Sequence, residues 1–400
     1  MKKAAFALAC ACALATVPAL VPGLAAAQDR LEFRAAVLRI DRPGRAPVSR
    51  LDLAPPDLGF AGARLATADN GTTGQFMGQD FATEEVTSDP DGAIAALEQI
   101  LSDGIRFVVT LADDEITGAL ADAAGDRALL FNAAARGDAL RNEACRPNLL
   151  HTAPSRAMLT DALAQFLVTK RWGNWLLIEG SHPQDRALAD AYRRAAAKFG
   201  ARIVEERIYE DTGGARRTDS GHVQVQAQMP VFTQRAAAHD VLVAADETGL
   251  FAAWLPYHTW DPRPVAGSAG LRPQSWHPAH EAWGATQFQT RFERLANRPA
   301  REEDYQVWLA LRSLGEAATR TQSGAFEDLV AHIRGDAFEL AAFKGQSLSY
   351  RPWDGQLRQP ILLTSGPVTT SVSPQPEFLH QVSQLDTLGH DRPETRCILN

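Results

Sequence analysis

Few residue patterns in this 400-residue chain have the spacing that covalent catalysis requires. No GxxxxGK[ST] phosphate loop, GxGxxG turn, HExxH helix or GxSxG elbow occurs, so the nucleotide, metalloprotease and serine-hydrolase chemistries lose their usual signatures. His277 and His280 stand three apart and could share a helical face, but no third metal ligand accompanies them. Asp113-Asp114-Glu115 follows an apolar run and has two readings. It is an acidic first turn complementing a helix dipole, or, through Asp114, a ligand contact. No nucleophile–base set emerges, which points to binding rather than turnover.

The elements that must position such residues alternate between strand and helix. Leu31 to Ile40 reads as a strand, and a helix over Asp57 to Ala68 stops at Asn70-Gly71. Phe81 to Thr87 is a short strand. A helix then runs to Leu101 with Ile94, Leu97 and Leu101 inward. Ile105 to Leu111, apolar except for Arg106 and Thr110, reads as a strand of the kind buried in a parallel sheet. Ala128 to Phe131 and Leu149 to Thr152 are further strands, with a helix over Ile116 to Ala124 before them. After Pro154 the alternation begins again. Ser155 can cap a helix to Lys170, and strands follow at Asn174 to Glu179, Arg202 to Tyr209, Val241 to Ala244 and Val265 to Gly267. Helices are expected over Pro183 to Phe199, Gln226 to Ala238, His280 to Leu295, Glu303 to Thr319 and Phe326 to Ile333, and a hairpin around Trp353 to Gln356. Two sets of βαβ units imply an α/β protein of two doubly wound parallel-sheet lobes joined by a hinge, with ligand at the carboxyl ends of the strands.

The first residues set the compartment. Lys2 and Lys3 precede an apolar stretch from Ala4 to Leu20, and Ala25-Ala26-Ala27 supplies a small-residue cleavage site. Residues 1–27 therefore read as a signal peptide, leaving a periplasmic protein from Gln28. A lipoprotein built on Cys10 or Cys12 is the alternative. Removing two lysines from 40 basic residues leaves 38 against 48 acids, a net charge of −10. That balance argues against nucleic acid and anionic lipid as partners. The remaining cysteines, Cys145 and Cys397, either bridge, as an even pair does in an oxidising compartment, or lie as two buried thiols.

Gly59, Gly62, Ala63, Leu65, Ala66, Asp69, Asn70, Gly74 and Gly78 form a pattern that resembles the first helix and turn of periplasmic type I solute-binding proteins of the branched-chain amino acid receptor kind. His151 to Ser155 is similar to that family's crossover into its second lobe, and Trp175 to Tyr209 to its first βαβ there. Three segments are similar to a narrower branch, the ABC transporter substrate-binding proteins associated with PQQ-dependent alcohol dehydrogenase systems. They are Pro264 to Leu271 with Trp276-His277 and His280 to Gly284, then Tyr350 to Ile361, then Leu385 to Asp391 with Cys397.

The resemblance implies a two-lobed receptor. Residues 28–152 with about 280–335 would form one lobe, 153–279 with about 336–365 the other, and 366–400 a tail tied by a disulfide. It also implies pyrroloquinoline quinone (PQQ), a flat tricarboxylate, as ligand rather than as a catalytic cofactor. An inner-membrane ABC permease, and a PQQ-dependent alcohol dehydrogenase, would be the partners. Arginines suit the carboxylates, and aromatic faces the ring. The candidates are Ser155 and Arg156 at the crossover helix, Asn132, Arg136 and Arg141 after a first-lobe strand, and Asp114. His182 and Asp185 start a second-lobe helix, Glu247 follows a second-lobe strand, and Trp254, Trp276 and Trp283 are the stacking residues. A receptor for another small metabolite, such as an amino acid or alcohol-related acid, is the alternative reading. An assembly factor for a quinoprotein dehydrogenase is another.

Overall fold

The computed structural model describes residues 30–399, apart from 43, 45, 46, 48, 50, 51 and 212–223. The expected signal peptide, with Cys10 and Cys12, lies outside the described residues. Five parallel strands form the first sheet in the order β2-β1-β3-β4-β5. They are β1 (Leu31–Ile40), β2 (Gln79–Ser88), β3 (Phe107–Leu111), β4 (Leu129–Asn132) and β5 (Leu149–His151). Every residue of β3 is buried, Thr110 included, as befits a mostly apolar central parallel strand. Leu97 and Ile100 of helix α2 (Ala93–Ser102) and Ile116 and Leu120 of α3 (Asp114–Ala124) cover one face. Helix α1 (Phe60–Met77) covers the other, together with three helices that return from late in the chain. These are α8 (Ala285–Ala296), α9 (Glu302–Thr321) and α10 (Phe326–Arg334).

The second sheet is also parallel, in the order β7-β6-β8-β9, from β6 (Asn174–Gly180), β7 (Arg202–Tyr209), β8 (Val241–Ala245) and β9 (Val265–Gly267). Helices α4 (Arg156–Thr169) and α5 (Pro183–Phe199) pack on one face. Helix α6 (Val225–Thr233) and the short α7 (Leu255–His258) pack on the other. An antiparallel trio extends this lobe, with β13 (Ile361–Ser365) between β10 (Arg272–Gln274) and β14 (Val368–Ser373). The expected hairpin is the pair β11 (Ser349–Tyr350) and β12 (Leu357–Arg358). Among the described residues no helix is long and apolar enough to cross a membrane.

Several local expectations give way to packing. Helix α1 does not stop at Asn70-Gly71 but continues to Gly78, whose φ of 67° ends it. Asn70 is tolerated mid-helix because its amide donates to the Leu311 carbonyl of α9 at 2.9 Å. The two helices meet so closely that a Cβ on Gly62 would lie 2.0 Å from the Asp304 carbonyl oxygen. Ile94 is exposed and Ile100 takes the inward place. The helix expected from His280 begins only at Ala285, because Trp283 and Gly284 hold positive φ and block its extension backward. His277 and His280 consequently share a turn rather than a helical face. Residues 368–373, expected in the tail, form β14. Cys145 and Cys397 are joined, with Cα atoms 5.6 Å apart.

Candidate functional site: the cleft between the lobes

The carboxyl end of β4 faces those of the neighbouring β8 and β9 across a groove flanked by the N-terminal turns of α4 and α9. A cavity of about 130 Å³ lies there, lined by Arg136, Arg156, Tyr192, Glu247, Ser268, Arg272 and Glu302. It adjoins a wider cleft of about 720 Å³ that adds Thr248, His277, Arg301 and Glu303. Strand ends at a lobe junction are where open α/β sheets place ligands.

Most charges in the groove are already matched by the protein. Arg156 grips Glu247 through Nε and Nη2, at 2.7 and 3.2 Å, and reaches Asp114 of the first lobe at 3.1 Å. Burial opposes the charge on Arg156, but the two carboxylates hold its pKa above the ordinary arginine value. Glu302 accepts from the backbone N–H and hydroxyl of Ser275, at 2.7 and 2.9 Å, and pairs with Arg136 at 3.3 Å. Burial pushes the Glu302 carboxyl up, yet Arg136, Ser275 and Arg272 together keep it below the usual range. Asp246 is consumed by the turn after β8, where it accepts the N–H groups of Leu250, Phe251 and Ala252, each at 2.7 Å.

The N-terminus of α4 is equally committed. Its first three N–H groups donate to the Arg136 carbonyl at 2.9 Å, to Asp138 at 2.9 Å and to the Ser155 hydroxyl at 3.2 Å. These three N–H groups are therefore engaged within the protein, which leaves the O–H of Ser155 as the donor at this helix end.

Two groups stand apart. Arg272, the first residue of β10, lines both spaces and makes no ion pair or side-chain hydrogen bond among the described residues. Glu303 lines the wider cleft without an ion pair among the described residues, and burial with the adjacent Glu302 charge raises its pKa. A cation and a carboxyl that the protein leaves unmatched suit a ligand bearing a carboxylate and a hydrogen-bond donor.

A family model described as periplasmic binding protein matches residues 59–367. The chain belongs to the periplasmic binding protein family. Solved structures show the same two-lobed fold. A branched-chain amino acid ABC transporter ligand-binding protein from Burkholderia xenovorans is 14% identical, with a TM-score of 0.70 over 92% of this chain and 99% of that one. A leucine-, isoleucine-, valine-, threonine- and alanine-binding protein from Brucella ovis, in a closed conformation, is 14% identical, with a TM-score of 0.67 over 84% and 89%. A Rhodopseudomonas palustris ABC transporter solute-binding protein in complex with benzoate is 12% identical, with a TM-score of 0.65 over 92% and 99%. Among curated proteins, none matches this sequence.

Of the residues expected at the site of this periplasmic binding protein, Arg136, Arg156 and Glu247 meet in the cavity. Asp114 sits at its edge, holding Arg156 and the Gly137 N–H. The others serve the scaffold. Asn132 is buried and braces its own turn, accepting from the Ala134 and Ala135 N–H groups and donating to the Ala135 carbonyl. Arg141 is buried against Gln356, Gly137 and Ala153, where it fastens the crossover between lobes. Asp185 accepts from the Thr248 N–H and hydroxyl at 2.9 and 3.0 Å, and His182 pairs with Asp211 at 2.9 Å.

The tryptophans offer no broad stacking platform. Trp276 touches the wide cleft but is almost wholly buried, stacked on Tyr305 with centroids 4.6 Å apart. Trp254 packs under α6 and α7, and Trp283 is exposed beside His280 and Gly345. Sequence reasoning missed Tyr192, Ser268, Arg272, Glu302 and Glu303. Ser268 directly follows β9, and Glu302 and Glu303 open α9, so strand and helix ends signalled all three. Nothing in the sequence singled out Arg272 among 35 arginines.

Proposed function

We propose that this protein is a periplasmic receptor that captures a small carboxylate-bearing metabolite between its lobes and presents it to an inner-membrane ABC permease. The unmatched guanidinium of Arg272, facing a cavity otherwise balanced in charge, is the observation that carries this reading. Ligand bridging Arg272 in the second lobe and Glu303 in the first would favour the closed form by contacts made only there. The ligand leaves chemically unchanged. The signal peptide over residues 1–27 belongs to the same proposal, as do the lobe boundaries given above, amended because Phe338, Leu340, Leu348 and Leu357 pack in the first-lobe core and residues 368–373 pair with β13 in the second lobe.

Arg272→Met tests it. Charge-assisted hydrogen bonds contribute about 1.5–3 kcal/mol, so affinity for the carboxylate ligand should fall roughly 10- to 100-fold. The ligand-free melting temperature should move little, because Arg272 makes no ion pair or side-chain hydrogen bond among the described residues and acts on Glu302 only through its charge. Titrations with leucine, benzoate and PQQ assign the class. Unchanged affinity in the variant, or no binding of any carboxylate across a broad thermal-shift panel, overturns the reading.

PQQ is the narrower reading, in service of an importer or of a PQQ-dependent dehydrogenase. Three arginines around one cavity favour it, because PQQ carries three carboxylates. The protein carboxylates already on Arg136 and Arg156, and the burial of Tyr192 and Trp276 where they line the cleft, favour a smaller acid. A melting shift with PQQ exceeding that with leucine or benzoate would select PQQ.

A further inference from the structure

At the opposite end of the first sheet from the cleft, beside the first residue of β4, lies a groove of about 470 Å³. Leu129, Pro147, Phe326 and Val330 give it apolar walls. Arg334, the last residue of α10, projects into it. Its Nε and Nη2 are shielded from solvent and have no acceptor among the described residues, and no ion pair engages the guanidinium there. The nearby acids do not answer it. Asp122 is held by both arms of Arg146, at 2.6 and 2.7 Å, and Asp126 makes no pair with Arg334. Buried donors without acceptors are costly, and native proteins leave few of them.

We propose that this groove is a second binding site, independent of the cleft, for a small monocarboxylate with an apolar body, such as a short-chain alkanoate. The carboxylate would pair with the guanidinium of Arg334, whose Nε and Nη2 must turn out of their shielded position to meet it, and the hydrocarbon would lie along Phe326, Val330 and Leu129. The matching is chemical as well as steric. A dianion would meet Asp126 at the rim, and a neutral hydrocarbon would leave the guanidinium unanswered. Burial alone pulls the Arg334 pKa down, with no carboxylate opposing it, so an arriving anion restores the charge balance that the fold leaves open.

The test uses hexanoate and the full chain carrying Arg272→Met, which removes the unpaired cation of the cleft. Calorimetric titration should still detect one hexanoate site. Adding Arg334→Met should weaken that site at least ~10-fold, while Arg334→Lys should retain part of it. Arg334→Met should fold with an unchanged or higher melting temperature, since it deletes shielded, unanswered donors. Loss of hexanoate binding in Arg272→Met alone, or equal binding with and without Arg334→Met, overturns the proposal without touching the reading of the cleft. A hexanoate-soaked crystal showing only water on Arg334 overturns it as well.

Discussion

Lys344 is fully buried and donates to the carbonyls of Ser275 and Pro360, the latter at 3.2 Å. Its ammonium also sits over the Tyr305 ring. Burial pulls its pKa from near 10.5 down to about 7, against an upward pull from Glu302. The sign of the linkage follows. Between those two values the unfolded chain holds a proton that the folded chain has released, so stability rises with pH across the window. Below pH 7 both states are protonated and the folded state bears the full cost of the buried charge. At about 1.36 kcal/mol per pH unit, the gain between pH 7 and pH 9.5 is about 3 kcal/mol. Lys344→Met, similar in length and without a charge, lacks this term. Denaturant unfolding of both proteins should therefore give curves of stability against pH that diverge upward for the wild type by about that amount. Stopping at pH 9.5 keeps the tyrosines out of the comparison. Parallel curves would show that Lys344 keeps its proton throughout and would refute the reasoning.

Other perturbations have equally definite outcomes. Asp161 is fully buried and holds Arg194, Lys198 and the Gly389 N–H, so Asp161→Asn should cost about 3 kcal/mol in urea unfolding by stranding its cations; a loss under 1 kcal/mol would show that solvent replaces it. Replacing Cys145 and Cys397 with serine frees a loop spanning 252 residues and should lower stability by up to about 5 kcal/mol. An unchanged unfolding midpoint would contradict this. Gly62→Ala forces a Cβ against the Asp304 carbonyl and should cost about 2 kcal/mol by prying α1 from α9, read as a lower melting temperature. Hexanoate titration of Arg334→Met decides the second site.

The alternation of apolar runs and amphipathic segments carried the fold. β3 had to be buried because its sequence is apolar save for Thr110, and the two βαβ series had to make two parallel sheets. Local signals misled where a distant partner supplied what the sequence lacked. Asn70 reads as a helix stop until Leu311 accepts its amide, and Ile94, expected inward, is exposed while Ile100 packs on the sheet. The site was only partly legible for the same reason. Arg136, Arg156 and Glu247 follow strands or open a helix, and that placement is local. Whether a given arginine answers a ligand or the protein depends on neighbours far away along the chain, 215 residues in the case of Arg141 and Gln356.

Sequence alone therefore determined the layering, the strand ends that face the cleft and the cysteines available to pair, because periodicity and residue type act over a few positions. Only the tertiary structure decided which charges are spent. Arg141, Asp185 and the α4 N-terminus are consumed by the scaffold while Arg272 is left open, since electrostatic pairing is settled by distances in space that spacing along the chain does not encode.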